Sequence, residues 1–160
     1  MKQRIVLPQG RYLVKCFDVH GTLKWLEEFE NLVVNQGRTD ILEKYFRGSA
    51  YTAAWFMGFK NALGGQAAGD TLASHVGWTE VNPQGANRVQ LTFNAAASNS
   101  ITTGQFNVPI TLAGPTDVGG AFVCSSQTGT SGVLYSVGDF SQLRSVISGD
   151  MLQVSQTFNA

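Results

Sequence analysis

Two histidines, His20 and His75, are the only imidazoles in the 160-residue chain, so acid–base chemistry near neutral pH would have to start from them. His20 lies in Asp18-Val19-His20-Gly21, which has the composition of a hairpin turn and predicts an exposed ring. His75 lies in Ser74-His75-Val76-Gly77-Trp78, and the nearby indole predicts a packed or hydrogen-bonded ring rather than a base. No Gly-x-Ser-x-Gly nucleophile elbow occurs. Gly129-Thr130-Ser131-Gly132 comes nearest, has the wrong spacing, and reads as a turn before a strand. No closely spaced Cys or His pair offers zinc ligands. Neither Gly-x-x-x-x-Gly-Lys nor a strand followed by Gly-x-Gly-x-x-Gly is present to cradle a phosphate.

The carboxylates come closer to a site. Glu27, Glu28 and Glu30 crowd one segment beside Trp25, and a carboxylate pair near an aromatic ring suits sugar binding or glycoside hydrolysis. Strand alternation, however, puts Glu28 and Glu30 on one face and Glu27 on the other, so a charged, solvated edge is expected. Asp70, Asp117, Asp139 and Asp150 each stand near Gly or Thr, which predicts turn capping. No short loop gathers enough oxygen ligands for calcium. Cys16 and Cys124 are far apart and expected to be reduced and buried. The expectation is a protein without catalysis, metal or cofactor.

Charge narrows the class further. Eleven basic and eleven acidic residues cancel, and charged residues make up only 14% of the chain, against about 25% in ordinary soluble domains. Residues 1–60 hold nine basic and six acidic residues, and residues 61–160 hold two and five. The latter stretch carries 36 Ser, Thr, Asn and Gln instead. A phosphate-neutralising surface is not expected from such a composition, so no nucleic-acid partner is predicted. No run of 18 apolar residues is present, so no membrane span is predicted. Met1-Lys2-Gln3-Arg4 leads into only Ile5-Val6-Leu7 before Pro8, too short for a signal-peptide core.

The elements that must position these residues are mostly strands. Residues 11–17 and 22–34 predict a hairpin around the Asp18–Gly21 turn. Ile41, Leu42, Tyr45 and Phe46 form one apolar helical face, Asp40–Lys44 and Glu43–Arg47 are i,i+4 ion pairs, Asn35 or Thr39 can cap, and Gly48 can end a helix over about 38–47. Residues 51–60 are apolar on both parities, as in a strand buried on both faces. Residues 61–87 form a long connection in which 70–74 predict a helical turn and 78–81 a short strand. Residues 88–94, 105–112 and 150–158 alternate strictly, and Pro109 marks its strand as an edge. Further strands are expected at 118–125, 132–137 and 143–147. The fold class is therefore mainly β: an antiparallel β-sandwich or jelly-roll-like domain with one helix and an N-terminal hairpin and arm. One domain spans 1–160, with arm and hairpin at 1–34, helix at 35–48 and sandwich at 49–160. Neutral polar side chains on an outward sheet face desolvate more cheaply than charges, which predicts burial in an assembly.

A series of phrases carries a family resemblance: Asn31-Leu-Val-Val-Asn35-Gln-Gly37, Trp55-Phe-Met-Gly58, Ala68-Gly-Asp-Thr-Leu-Ala-Ser-His75 and Gly77-Trp-Thr-Glu80, then Gly119-Gly-Ala-Phe122, Gly132-Val-Leu-Tyr-Ser136 and Ser148-Gly-Asp-Met-Leu152. Their order and spacing resemble small tailed-bacteriophage virion structural proteins over residues 31 to 158. The chain departs from that pattern at Asn82-Pro-Gln-Gly-Ala-Asn-Arg88, where the family has a more aromatic, Arg-Pro-containing link. The resemblance implies a particle component made in a bacterial cytoplasm. Without a coiled coil or fibrous repeat, the expected place is the capsid surface, as a decoration (cement) protein clamping the major capsid protein, a homotrimer by analogy. Lys2, Arg4, Arg11, Lys15 and Lys24, within a segment of net charge +3, are the expected capsid-binding residues. The alternative is a head-fibre or tail-fibre receptor-binding tip that holds carbohydrate on Trp25, Trp55 or Trp78.

Overall fold

The computed structural model describes residues 9–51, 54–85 and 87–159. The strands are β1 (Gln9–Phe17), β2 (Leu23–Val33), β3 (Trp55–Lys60), β4 (Glu80–Val81), β5 (Val89–Leu91), β6 (Ser100–Pro109), β7 (Thr116–Cys124), β8 (Leu134–Val146) and β9 (Met151–Asn159). The single helix among the described residues, α1 (Asn35–Tyr45), follows β2. Every pairing is antiparallel, and the sheet order is β4-β3-β7-β8-β2-β1-β9-β6, with β5 beside β4 on the free side of β3. The protein is thus mainly β, with an antiparallel sheet curled on itself.

Alternation drives the curl. Tyr12, Val14 and Cys16 of β1, Leu152, Val154 and Phe158 of β9, and Val108 of β6 turn inward and meet Met57 and Phe59 of β3 and Val123 of β7 in one cluster. Full burial of each such side chain contributes about 1.5–3 kcal/mol. The first and last strands of the sheet order nearly meet. Asn94 donates its backbone N–H to the Thr102 carbonyl (2.8 Å), and Thr111 and Leu112 donate theirs to the Pro83 carbonyl (2.9 and 3.1 Å). β6, the strand carrying Pro109, is a true edge apart from this seam.

A second, outer core explains why β3 and β7 are apolar on both faces. Phe56, Phe122, Cys124, Leu134 and Val137 turn away from the interior and pack with Leu72 and Trp78. The 61–79 connection therefore covers the sheet. Its expected helical turn is instead a tight reversal, in which Thr71 and Ser74 exchange backbone hydrogen bonds.

The helix starts at Asn35, three residues earlier than its apolar face suggests, and neither Asn35 nor Thr39 caps it. Its N-cap is Val34. The first-turn amide of Asn35 is satisfied by the Ala68 carbonyl of the covering connection (2.8 Å), which removes the need for a side-chain cap. Both expected ion pairs form, Asp40–Lys44 at 3.8 Å and Glu43–Arg47 at 3.0 Å. Gly37 is the helix's one buried residue, and a Cβ there would lie 2.4 Å from the Tyr135 carbonyl. The absence of that carbon lets the helix touch β8.

The segments 132–137 and 143–147, expected as separate strands, are one strand, β8. Gly138 looks like punctuation but sits mid-strand because β2 crosses there: a Cβ would meet the Glu30 carbonyl at 2.8 Å. β2 pairs with β8 only through Asn31, Leu32 and Val33, and its earlier residues pair with β1. Glu27 fills the resulting gap. Its carboxylate accepts hydrogen bonds from the Ser141 amide (2.8 Å), the Ser141 hydroxyl (2.9 Å) and Arg144 Nε (2.6 Å). It thereby satisfies a backbone donor where the ladder stops.

Burial alone would raise the Glu27 pKa, but the Ser141 and Arg144 hydrogen bonds outweigh it and hold the carboxyl below its ordinary value. A depressed native pKa gives stability that is complete above the unfolded value and lost as pH falls through the native one. Glu27→Gln should therefore be less stable than the parent at neutral pH, with the gap closing below about pH 4. Urea melts across pH check this, and parallel curves would contradict it.

Candidate functional site

Two surfaces could meet a partner: the outward face of the β2-β1-β9-β6 half, and the end of the curled sheet beside α1. On the first, register aligns Arg11 with Thr157 and Thr102, Leu13 with Ser155 and Gln105, and Lys15 with Gln153 and Asn107. Across β9 and β6 this face carries Thr102, Gln105, Asn107, Gln153, Ser155 and Thr157, without a formal charge.

The basic residues expected to bind a partner are dispersed. Lys2 and Arg4 lie outside the described residues. Arg11 is exposed and pairs with Glu28 (2.9 Å). Lys15, half-buried on the same outward face, has no ion-pair partner among the described residues. Lys24 reaches the buried Asp150 carboxylate, which also accepts the Ile147 amide at 3.0 Å. Arg11, Lys15 and Lys24 stand against Asp18, Glu27, Glu28 and Glu30, so the described part of the hairpin carries a net charge of −1, not a positive one. The three glutamates divide as alternation predicts, and Glu27 is buried on the other side with Arg144, so no carboxylate pair forms.

Nucleophiles and bases are similarly occupied. His75 stacks on Trp78 (centroids 3.8 Å apart), and its Nδ1 lies 2.9 Å from the Trp78 carbonyl. Asp70 accepts from Trp78 Nε1 (3.0 Å) and the Ala67 amide (3.1 Å), so it caps a turn and anchors the indole at once. Cys16 and Cys124 are free and buried. Burial, then the neighbouring Asp150 charge, pushes the Cys16 thiol up to about 12. Among the described residues no three His, Cys, Asp or Glu side chains gather to hold a metal, and no helix is long and apolar enough to cross a membrane.

The second surface is concave. Near α1 the interior of the curled sheet is incompletely filled and leaves a cavity of about 390 Å³. Its walls are Trp55, Phe93, Ile101, Val123, Tyr135 and Phe158, with Ile41, Tyr45, Tyr51, Asp40 and Lys44 toward the helix. A chain of ring contacts lines it: Trp55 on Tyr135 (5.4 Å, 63°), Tyr135 on Phe158 (5.4 Å, 86°) and Phe158 on Phe93 (6.0 Å, 39°). Tyr45, Phe46 and Tyr51 are exposed beside it. Barrel mouths of this size and composition are recurrent ligand sites.

Of the three tryptophans, only Trp55 lines this opening. Trp78 is buried, and Trp25 is half-buried against Phe140 (5.8 Å) with the Arg144 guanidinium 5.8 Å from its ring. Sequence reasoning missed Phe93, Ile101, Tyr135 and Phe158 as a group; Phe93 and Phe158 are inward positions of alternating segments, whereas Ile101 precedes one and Tyr135 lies in a stretch buried on both faces. Their coincidence at one end depends on register, which no local pattern states. No protein-family model and no curated protein matches this chain.

Proposed function

We propose that this chain is a non-catalytic bacteriophage virion structural protein that decorates the capsid and stabilises the head by binding the major capsid protein. The observation that carries the reading is the uncharged outward face of β9 and β6, six neutral polar side chains in register. Such a face solvates adequately when free and loses little when buried against another subunit. The sequence resemblance to virion proteins supplies the setting. The curled sheet, two halves facing one core, serves here as a sandwich-like body, and the trimeric state is carried by analogy. Lys15 borders the neutral face, and Lys2 and Arg4 precede the strand that carries it. Decoration adds contact area between shell subunits, and shell stability rises by mass action.

The test is a decoration assay on heads lacking the protein. Gln105→Lys with Gln153→Lys should leave the fold intact, since surface changes cost within about 0.5 kcal/mol. The pair should reduce head occupancy at least tenfold and leave heads that lose genome on heating. Full occupancy by the double variant would reject the neutral face as the docking surface. The aromatic opening with Trp55 favours a second reading, a receptor-binding tip for carbohydrate. Thermally normal heads with failed adsorption in the protein's absence would select it.

A further inference from the structure

The cavity beside α1 has features that shell docking does not require. Its deep wall is apolar and aromatic, yet two polar groups in it lack hydrogen bonds. Tyr135 is only 9% exposed, and its hydroxyl has no hydrogen-bond partner among the described residues. The Asp40 side chain is 12% exposed; it accepts no hydrogen bond among the described residues and faces only the Lys44 ammonium at 3.8 Å. Lys44 is itself turned to the Ala50 carbonyl. Burial, reinforced by the Asp40 charge, pushes the Tyr135 hydroxyl up to about 12, so it remains a donor at neutral pH. Both groups keep some solvent exposure, so they stand as a free donor and a half-used acceptor at the rim of one apolar chamber, open to a guest.

We infer that this cavity binds a small, neutral aromatic molecule bearing one hydroxyl, a phenol-type ligand. The ring body matches the alternating edges and faces of Trp55, Tyr135, Phe158 and Phe93, which favour an aromatic guest over an aliphatic one. The guest hydroxyl accepts from Tyr135 and donates to Asp40. Net charge on the guest is disfavoured, because Asp40 and Lys44 already cancel and the inner wall holds no other ion. The helix forms one side of the opening: Ile41 packs against the inner core, and Tyr45 at the helix end is exposed at the entrance.

The probes are 2-naphthol and naphthalene, matched in shape and differing by the hydroxyl, titrated against the full chain by fluorescence. The parent should bind both, 2-naphthol the more tightly. Tyr135→Phe and Asp40→Ala should each weaken 2-naphthol about tenfold, as loss of a hydrogen bond within an apolar site does, and leave naphthalene unchanged. Ile101→Trp, on the edge strand, should fill the chamber and abolish binding of both. Thermal melts confirm that each variant is folded. Failure of both probes to bind the parent would overturn the inference. So would 2-naphthol affinity unchanged in Tyr135→Phe and Asp40→Ala, which would make the chamber merely apolar, or binding that survives Ile101→Trp. None of these readouts involves a capsid, so the inference stands or falls apart from the decoration reading.

Discussion

Removing the Asp139 carboxylate is expected to cost about 3 kcal/mol of folding stability, the lower end of what breaking a buried ion pair costs. Lys60 is fully buried in β3, and its ammonium is paired with Asp139 of β8. The remaining contacts, the Gly64 carbonyl (2.9 Å) and Gln66 Oε1 (3.3 Å), are neutral acceptors and cannot compensate a desolvated cation. Asp139 also accepts from the Gly64 amide (3.0 Å) and Gln66 Nε2 (2.6 Å), so its loss loosens the start of the 61–79 connection as well. Partial exposure of the Asp139 side chain, 24%, keeps the estimate at the low end. Asp139→Ala in urea denaturation should show the loss. Lys60→Met with Asp139→Leu should recover most of it, because the penalty lies in the orphaned charge rather than in the missing attraction. A single variant within about 1 kcal/mol of the parent would contradict this account.

Phe122→Ala should be the most damaging apolar truncation, costing about 3–5 kcal/mol. The ring is 1% exposed at the centre of the outer core, with Trp78 at 5.1 Å and the Arg88 guanidinium 5.4 Å from its centroid. Arg88 in turn holds Glu80 through two bonds of 2.7 Å and the Ser126 and Gly129 carbonyls at 2.8 and 2.7 Å. The ring thus seats the 61–79 cover and borders the guanidinium that ties neighbouring loops together. The expected signature is lowered stability with new proteolytic cleavage inside residues 61–79, while β1, β2 and β9 stay protected. Uniform sensitivity along the chain would show instead that the cover is no separate unit.

Local pattern made much of this fold legible. The Asp18 turn is where the hairpin bends, with Asp18 Oδ1 accepting from the His20 and Thr22 amides (2.9 and 2.8 Å). Alternation identified the inward faces of β6 and β9, and two-sided apolarity identified β3. What local pattern missed was decided by contacts distant along the chain. Lys60 and Arg88 look like surface cations until their carboxylates arrive from elsewhere. Gly138 looks like a break until β2 is laid beside it. The β-formers of 88–94 shrink to Val89–Leu91 because Asn94 is drawn to Thr102 on the opposite side of the seam. The cavity was invisible for the same reason. Its walls come from five strands, a helix and the residues flanking them, and only curvature brings them to one opening.

That seam gives the molecule a mechanical asymmetry. Elsewhere around the circumference, neighbouring strands are joined by ladders. Between β5 and β6 the hoop is closed by three backbone hydrogen bonds at two separated points. A ring under radial load yields at its weakest joint, and Phe93 and Ile101, which flank this joint, are also walls of the aromatic chamber. The chamber and the seam thus share a wall, and the Asn94 amide, bonded across the seam, is the place where an enlargement of the chamber would register first.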